Sequence, residues 1–160
     1  DVTAVADDPE GAEVLAEVEA AWRELPRSAR RRVHLALLPM ADTDENAVVV
    51  NALQQHATVV VQKSLAEGFG LTVTEAMWKS RPVVASGVGG IQDQITNGVH
   101  GLLVDDPTDL PAFGRAVATL LEDRDRAARM GEQAHRRVLE DYLAPRRLTQ
   151  ELDLVERVSA

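Results

Sequence analysis

Thr58-Val59-Val60-Val61-Gln62 is followed, within a few residues, by Glu67-Gly68-Phe69-Gly70-Leu71-Thr72-Val73-Thr74-Glu75. The first stretch is short, apolar and rich in β-branched residues, so it reads as a buried strand. The second opens in a Gly-Phe-Gly turn and runs into an amphipathic stretch over residues 71–79. The order is strand, glycine turn and helix start, with one carboxylate on each side of the turn. A helix N-terminus presents unpaired N–H groups and the positive end of the helix dipole, which suit phosphate or sugar oxygens. Carboxylates only accept hydrogen bonds and therefore suit hydroxyls. Such a segment fits a pocket for a sugar nucleotide.

The same alternation extends in both directions. Upstream, residues 2–6 read as a strand. Asp7-Asp8-Pro9 then supplies an Asp cap and a Pro at the first helical position, opening a helix over residues 10–25. Arg27, Arg30, Arg31 and Arg32 read as a solvated connection rather than a phosphate site. Val33-His34-Leu35-Ala36-Leu37-Leu38 is a near-continuous apolar run and is expected to be a strand. Asp42-Thr43-Asp44-Glu45 opens a helix over about residues 46–56. Downstream, Pro82-Val83-Val84-Ala85-Ser86 reads as a strand, Gly87-Val88-Gly89-Gly90 as a loop and residues 91–96 as a short helix. The Asn97-Gly98 turn precedes the strand Gly101-Leu102-Leu103-Val104. Asp105-Asp106-Pro107-Thr108 is expected to cap a helix over residues 109–121, and two further helices follow over 124–142 and 145–158. Strands of about four to six residues alternating with helices predict an α/β fold. It is a Rossmann-like, doubly wound parallel sheet covered on both faces, with a helical C-terminal tail. In such sheets ligands bind beyond the carboxyl ends of the strands. Residues 67–70 and 87–90 are both expected there, forming one cleft.

Composition narrows the function classes. The 160 residues fit one domain, residues 1–160. Net charge is −9, which argues against a general phosphate-backbone binder. Aromatic residues are only 3%, which argues against a base-stacking platform for nucleic acid. No cysteine is present, so disulfides and Cys-based zinc sites are excluded and a reducing cytoplasm fits. No apolar run reaches membrane-spanning length. The start, Asp1-Val2-Thr3-Ala4-Val5-Ala6, looks like a strand already under way, so the chain is expected to be excised from a longer, two-domain protein.

Read from the residues alone, the site stays open. Glycines at 68 and 70 let backbone approach a ligand, and the N–H groups of Gly70, Leu71 and Thr72 can face a diphosphate. Glu75 fits equally a dipole-favoured surface carboxylate and a ligand acceptor. Glu67 fits a loop carboxylate in water. The four histidines, His34, His56, His100 and His135, stand apart in the sequence, and no Ser-His-Asp or metal-ligand spacing is present.

The segment 67–75 resembles the Glu-x7-Glu motif of retaining GT-B glycosyltransferases of the group 1 type (glycosyltransferase family 4). That large group contains sucrose, glycogen and trehalose synthases. Pro82-Val83-Val84-Ala85 and Gly87-Val88-Gly89-Gly90-Ile91 follow in the family's order. Asn97-Gly98-Val99-His100-Gly101-Leu102-Leu103-Val104 resembles its hairpin-like Asn-Gly-x-x-Gly-Leu-Leu-Val segment. The resemblance covers roughly residues 45–145. Asn51-Ala52-Leu53-Gln54-Gln55, Val61-Gln62-Lys63-Ser64 and Glu75-Ala76-Met77-Trp78-Lys79 look like the trehalose-forming branch.

The resemblance implies the C-terminal, donor-binding domain of a GT-B enzyme. Glu67 would bind donor-sugar hydroxyls near the reacting carbon, and Glu75 the ribose hydroxyls. Gly68, Phe69, Gly70, Leu71 and Thr72 would line the sugar and diphosphate. The donor would be a UDP-, ADP- or GDP-linked sugar, with no metal and no separate cofactor. The family's diphosphate-binding Arg and Lys match nothing here, and Lys63 does not occupy either position. The acceptor would belong to an N-terminal domain beyond this chain, and the 160 residues alone would be inactive. Base selectivity is expected to rest on backbone contacts and on a loop at residues 39–45, or on Met40 within it. A homodimer of the full-length, cytoplasmic enzyme is a further expectation. Two rival readings are a non-catalytic binding module on the same fold and a dinucleotide-binding dehydrogenase domain. The latter lacks Gly-x-Gly-x-x-Gly after the first strand.

Overall fold

A computed structural model of the chain describes residues 9–38 and 41–159. The expected strand over 2–6 lies outside the described residues, as do Pro39 and Met40 of the loop expected to select the base. The chain forms two compact units, Asp1–Ala52 and Leu53–Ala160.

In the first unit, α1 (Pro9–Glu24) is followed by a one-turn helix, α2 (Arg27–Arg30), where a connection was expected. Trp22 Nε1 donates to the Val33 carbonyl at 2.9 Å, and the Arg30 guanidinium lies 5.5 Å from the Trp22 ring centre. Residues 33–38 are not a strand. Among the described residues no strand pairs with this run, and Leu35 and Leu37 are exposed. An apolar run becomes a strand only where a neighbour takes its ladder hydrogen bonds and something covers its faces. Helix α3 (Thr43–His56), whose residues from Leu53 on belong to the second unit, begins three residues earlier than the sequence suggests. Its start is held by Asp42, whose carboxylate accepts from the N–H groups of Asp44 and Glu45 at 3.0 Å each.

The second unit is built on a parallel three-stranded sheet in the order β1 (Val60–Gln62), β2 (Val83–Ser86), β3 (Leu102–Val104). Val61 pairs with Val84, and Ala85 with Leu103. All of β2 is buried. Because side chains alternate across a strand, Val83 and Ala85 enter one apolar cluster and Val84 the other. The first cluster contains Val73, Ala76 and Met77 of α4 (Leu71–Trp78), Ile91 of α5 (Ile91–Gln94) and Ala134 and Val138 of α7 (Arg124–Asp141). The second contains Phe113 and Leu120 of α6 (Leu110–Glu122), with Ala127 and Met130 of α7. The sheet is thus covered on both faces, as the apolar strands require. Each fully buried large apolar side chain here contributes about 1.5–3 kcal/mol.

Helix boundaries follow local chemistry. Asp109, not residues 105–108, caps α6 by accepting from the Ala112 N–H at 2.9 Å. Asp123 caps α7 in the same way through Arg126. Helix α4 ends in a left-handed residue, Ser80 (φ 56°). Its N–H reaches the Met77 carbonyl at 2.9 Å, and the Arg81 N–H reaches Ala76 at 2.9 Å. This is the two-bond Schellman closure. Gly131 of α7 packs on this turn, where an added Cβ would lie 2.2 Å from the Ser80 carbonyl oxygen. The segment 97–101 is a turn feeding β3, which pairs parallel with β2 and forms no hairpin. Helix α8 (Ala144–Ser159) completes the helical tail.

Candidate functional site

Residues 67–70 leave the carboxyl side of β1 and enter α4, and residues 87–90 leave β2 and enter α5. The two loops meet. The Gly90 N–H donates to the Gly68 carbonyl at 3.0 Å. A Cβ on Gly89 would stand 1.7 Å from the Glu67 carbonyl oxygen. The single rim expected from the sequence is therefore formed by direct backbone contact.

Gly70 is buried and left-handed (φ 90°), and its carbonyl accepts from Val73 and Thr74 at 3.0 and 3.2 Å. No side chain caps α4. The first-turn N–H groups of Leu71 and Thr72 therefore open on the rim, together with the positive end of the helix dipole. Gly68, Phe69, Leu71 and Thr72 are all exposed, so the surface they form is accessible.

The two carboxylates sit differently. Glu67 is half-buried. One of its oxygens accepts from the Gly68 N–H at 3.1 Å and the other from Ser64 Oγ at 3.4 Å. Ser64 is itself held by Gln62 Nε2 at 3.0 Å. Glu75 is exposed on α4, and its Oε2 accepts from Gln54 Nε2 at 3.3 Å. Each carboxylate keeps acceptor capacity for hydroxyl groups.

Gln94 was not singled out in the sequence. It is fully buried, its Oε1 accepts from Thr74 Oγ1 at 2.9 Å, and its Nε2 donates to the Phe69 carbonyl. One amide thus ties the Gly-Phe-Gly turn, α4 and α5 together. A glutamine inside the apolar setting of Ile91 and Ile95 was the available signal. Phe69 also meets Tyr142 edge-on, ring centres 6.0 Å apart, and the Tyr142 hydroxyl donates to the Asp93 carbonyl at 2.9 Å.

The remaining candidates fall elsewhere. Lys63 is exposed just beyond β1. His135 Nδ1 donates to the Trp78 carbonyl at 2.5 Å and its ring packs on Trp78. His100 accepts from the Thr96 N–H at 3.2 Å through Nδ1. Burial of its ring, and then the Arg137 charge, hold its pKa below the usual value. Among the described residues no cluster of three or more His, Cys, Asp or Glu could hold a metal ion, and no helix is long and apolar enough to cross a membrane.

The family model for glycosyl transferases group 1 matches residues 44–137, more than half of the chain and the whole of this rim. The chain belongs to that family. A trehalose synthase of Rubrobacter xylanophilus is 47% identical over 116 residues, 72% of this chain and 27% of that protein. The chain thus spans about a quarter of the length of the curated trehalose synthases it matches. Sucrose-phosphate synthase from Thermosynechococcus elongatus superposes with a TM-score of 0.62 at 31% identity, over 71% of this chain and 28% of that one. Anabaena HepE, solved in complex with UDP-glucose, superposes with a TM-score of 0.59 at 25% identity, over 69% of this chain and 29% of that one.

Proposed function

We propose that this chain is the donor-binding part of a retaining glycosyltransferase. The full-length enzyme transfers glucose, or a similar hexose, from a nucleoside diphosphate sugar to a sugar acceptor, with trehalose as the favoured product. The observation that carries this reading is the uncapped start of α4, set between Glu67 and Glu75 and walled by the 87–90 loop. Glu67 accepts from donor-sugar hydroxyls next to the reacting carbon, and Glu75 from the ribose hydroxyls. Gly68, Phe69, Gly70, Leu71 and Thr72 line the sugar and diphosphate, and the open N–H groups of α4 take phosphate oxygens. The likeness to trehalose synthases supports the product, and the HepE complex with UDP-glucose supports the donor class. The acceptor and the cationic partners of the leaving diphosphate belong to the rest of the full-length protein. The absence of cysteine supports a cytoplasmic setting.

Titration calorimetry with UDP-glucose, ADP-glucose and GDP-mannose tests the donor site. Heat with at least one donor is expected, and silence from all three at millimolar concentration would sink the reading. Glu75→Gln should weaken free nucleoside diphosphate, whereas Glu67→Gln should weaken only the sugar-bearing donor. Equal weakening of the free nucleotide by both would show the two roles to be misassigned.

A further inference from the structure

Gln54, near the end of α3, is a buried polar side chain that the donor reading does not use; only 6% of it is exposed. Its Nε2 donates to Glu75 Oε2 at 3.3 Å, and its Oε1 accepts from Lys79 Nζ at 2.6 Å. Lys79 also reaches the Glu75 backbone carbonyl at 3.4 Å. Chemistry fixes which way this amide faces. An ammonium group has donors only, so the oxygen of Gln54 must face Lys79 and its NH2 must face Glu75. The lysine thereby orients the amide, and the amide dipole brings part of the positive charge to the carboxylate.

An exposed glutamate samples many rotamers, and fixing it when a ligand arrives costs affinity. Here one carboxylate oxygen is already held, which leaves Glu75 Oε1 for a ligand. We infer that Gln54, oriented by Lys79, is the positioning residue for Glu75. It thereby sets the preference of this site for ribonucleotides over deoxyribonucleotides. This rests on the reading of Glu75 as the ribose acceptor.

The test compares the affinities of UDP, ADP and GDP with those of their 2′-deoxy counterparts. A hydrogen bond to a charged group predicts a ribo preference of about tenfold in the unaltered protein. Gln54→Met keeps the length of the side chain and removes its polar atoms. It should cut the preference to under about threefold while leaving deoxyribonucleotide affinity within about twofold, because only the hydroxyl contact is disturbed. Lys79→Met should fall between, and Lys79→Arg, which keeps a charged donor, should restore the preference. A general loss of packing would weaken ribo and deoxy ligands alike.

A full ribo preference in Gln54→Met, with Glu75→Ala abolishing it, overturns the role of Gln54 and leaves the donor reading standing. A preference that survives Glu75→Ala overturns the ribose assignment and this inference with it. If Gln54→Met does not fold, the Lys79 pair decides: identical ratios in Lys79→Met, Lys79→Arg and the unaltered protein overturn the inference.

Discussion

The two rim loops, 67–70 and 87–90, are both rich in glycine, and each joins a parallel strand to a helix. Their glycines nevertheless answer to different neighbours. A Cβ on Gly68 would meet nothing within 4 Å. A Cβ on Gly89 would lie 1.7 Å from the Glu67 carbonyl oxygen, and one on Gly90 would lie 2.5 Å from the Gly68 carbonyl oxygen. At Gly89 and Gly90 the missing side chains make room for the backbone of the first loop, not for a ligand. The 87–90 loop is therefore a mould, and the 67–70 loop is the surface cast against it. A glycine in a rim loop marks close approach, but the approaching group has to be identified.

Substitutions that restore a Cβ put the contrast at risk, and the largest effect belongs to Gly89. Gly89→Ala meets both a backbone clash and a left-handed φ of 50°, and should cost about 3 kcal/mol or more in urea unfolding. A loss of under about 0.5 kcal/mol, the size of an ordinary surface change, would break the mould description. Gly90 has ordinary helical angles (φ −65°), so only the clash remains. Gly90→Ala should cost about 2 kcal/mol by the same measurement. Gln94→Met keeps the volume but removes both amide bonds, and should cost about 1.5 kcal/mol. In that variant the Phe69 signals in NMR spectra should broaden or shift while those of β2 stay put. Gly68→Ala is the smallest change, within about 0.5 kcal/mol of the unaltered protein. A large loss there would mean that the two loops are alike after all.

The parts of the fold that were legible are those whose signal is local. Val73, Ala76 and Met77 recur at helical spacing and do form the buried face of α4. The Glu67–Glu75 segment was readable because both carboxylates, the turn and the helix start are contiguous. Residues 33–38 and Val83–Ser86 look alike in sequence, yet only the second is a strand. Val83–Ser86 has β1 and β3 on either side and helices over both faces. Such partners are set by the rest of the chain and leave no mark inside the run itself. The same holds for Gln94 and Gln54, whose bonds reach across 20 to 25 residues. Asp109 displaced the expected cap because four acidic or hydroxyl residues crowd positions 105–109, and only backbone geometry chooses among them.

The seating of α7 has a dynamic consequence. At Gly131 it presses on the turn that closes α4, before β2 begins. Just past its end, Tyr142 grips Phe69 and the Asp93 carbonyl at the rim. Those two points lie about 16 Å apart along one continuous helix, at 1.5 Å per residue. The C-terminal half of α7 thus joins the rim to the α4–β2 turn through its own ladder of hydrogen bonds. Amide protons of the rim loop and of the α4–β2 turn should therefore exchange with solvent as one cooperative unit. The slowest opening of the rim is then expected to follow the unfolding of α7, at the α4–β2 turn as much as at the rim itself.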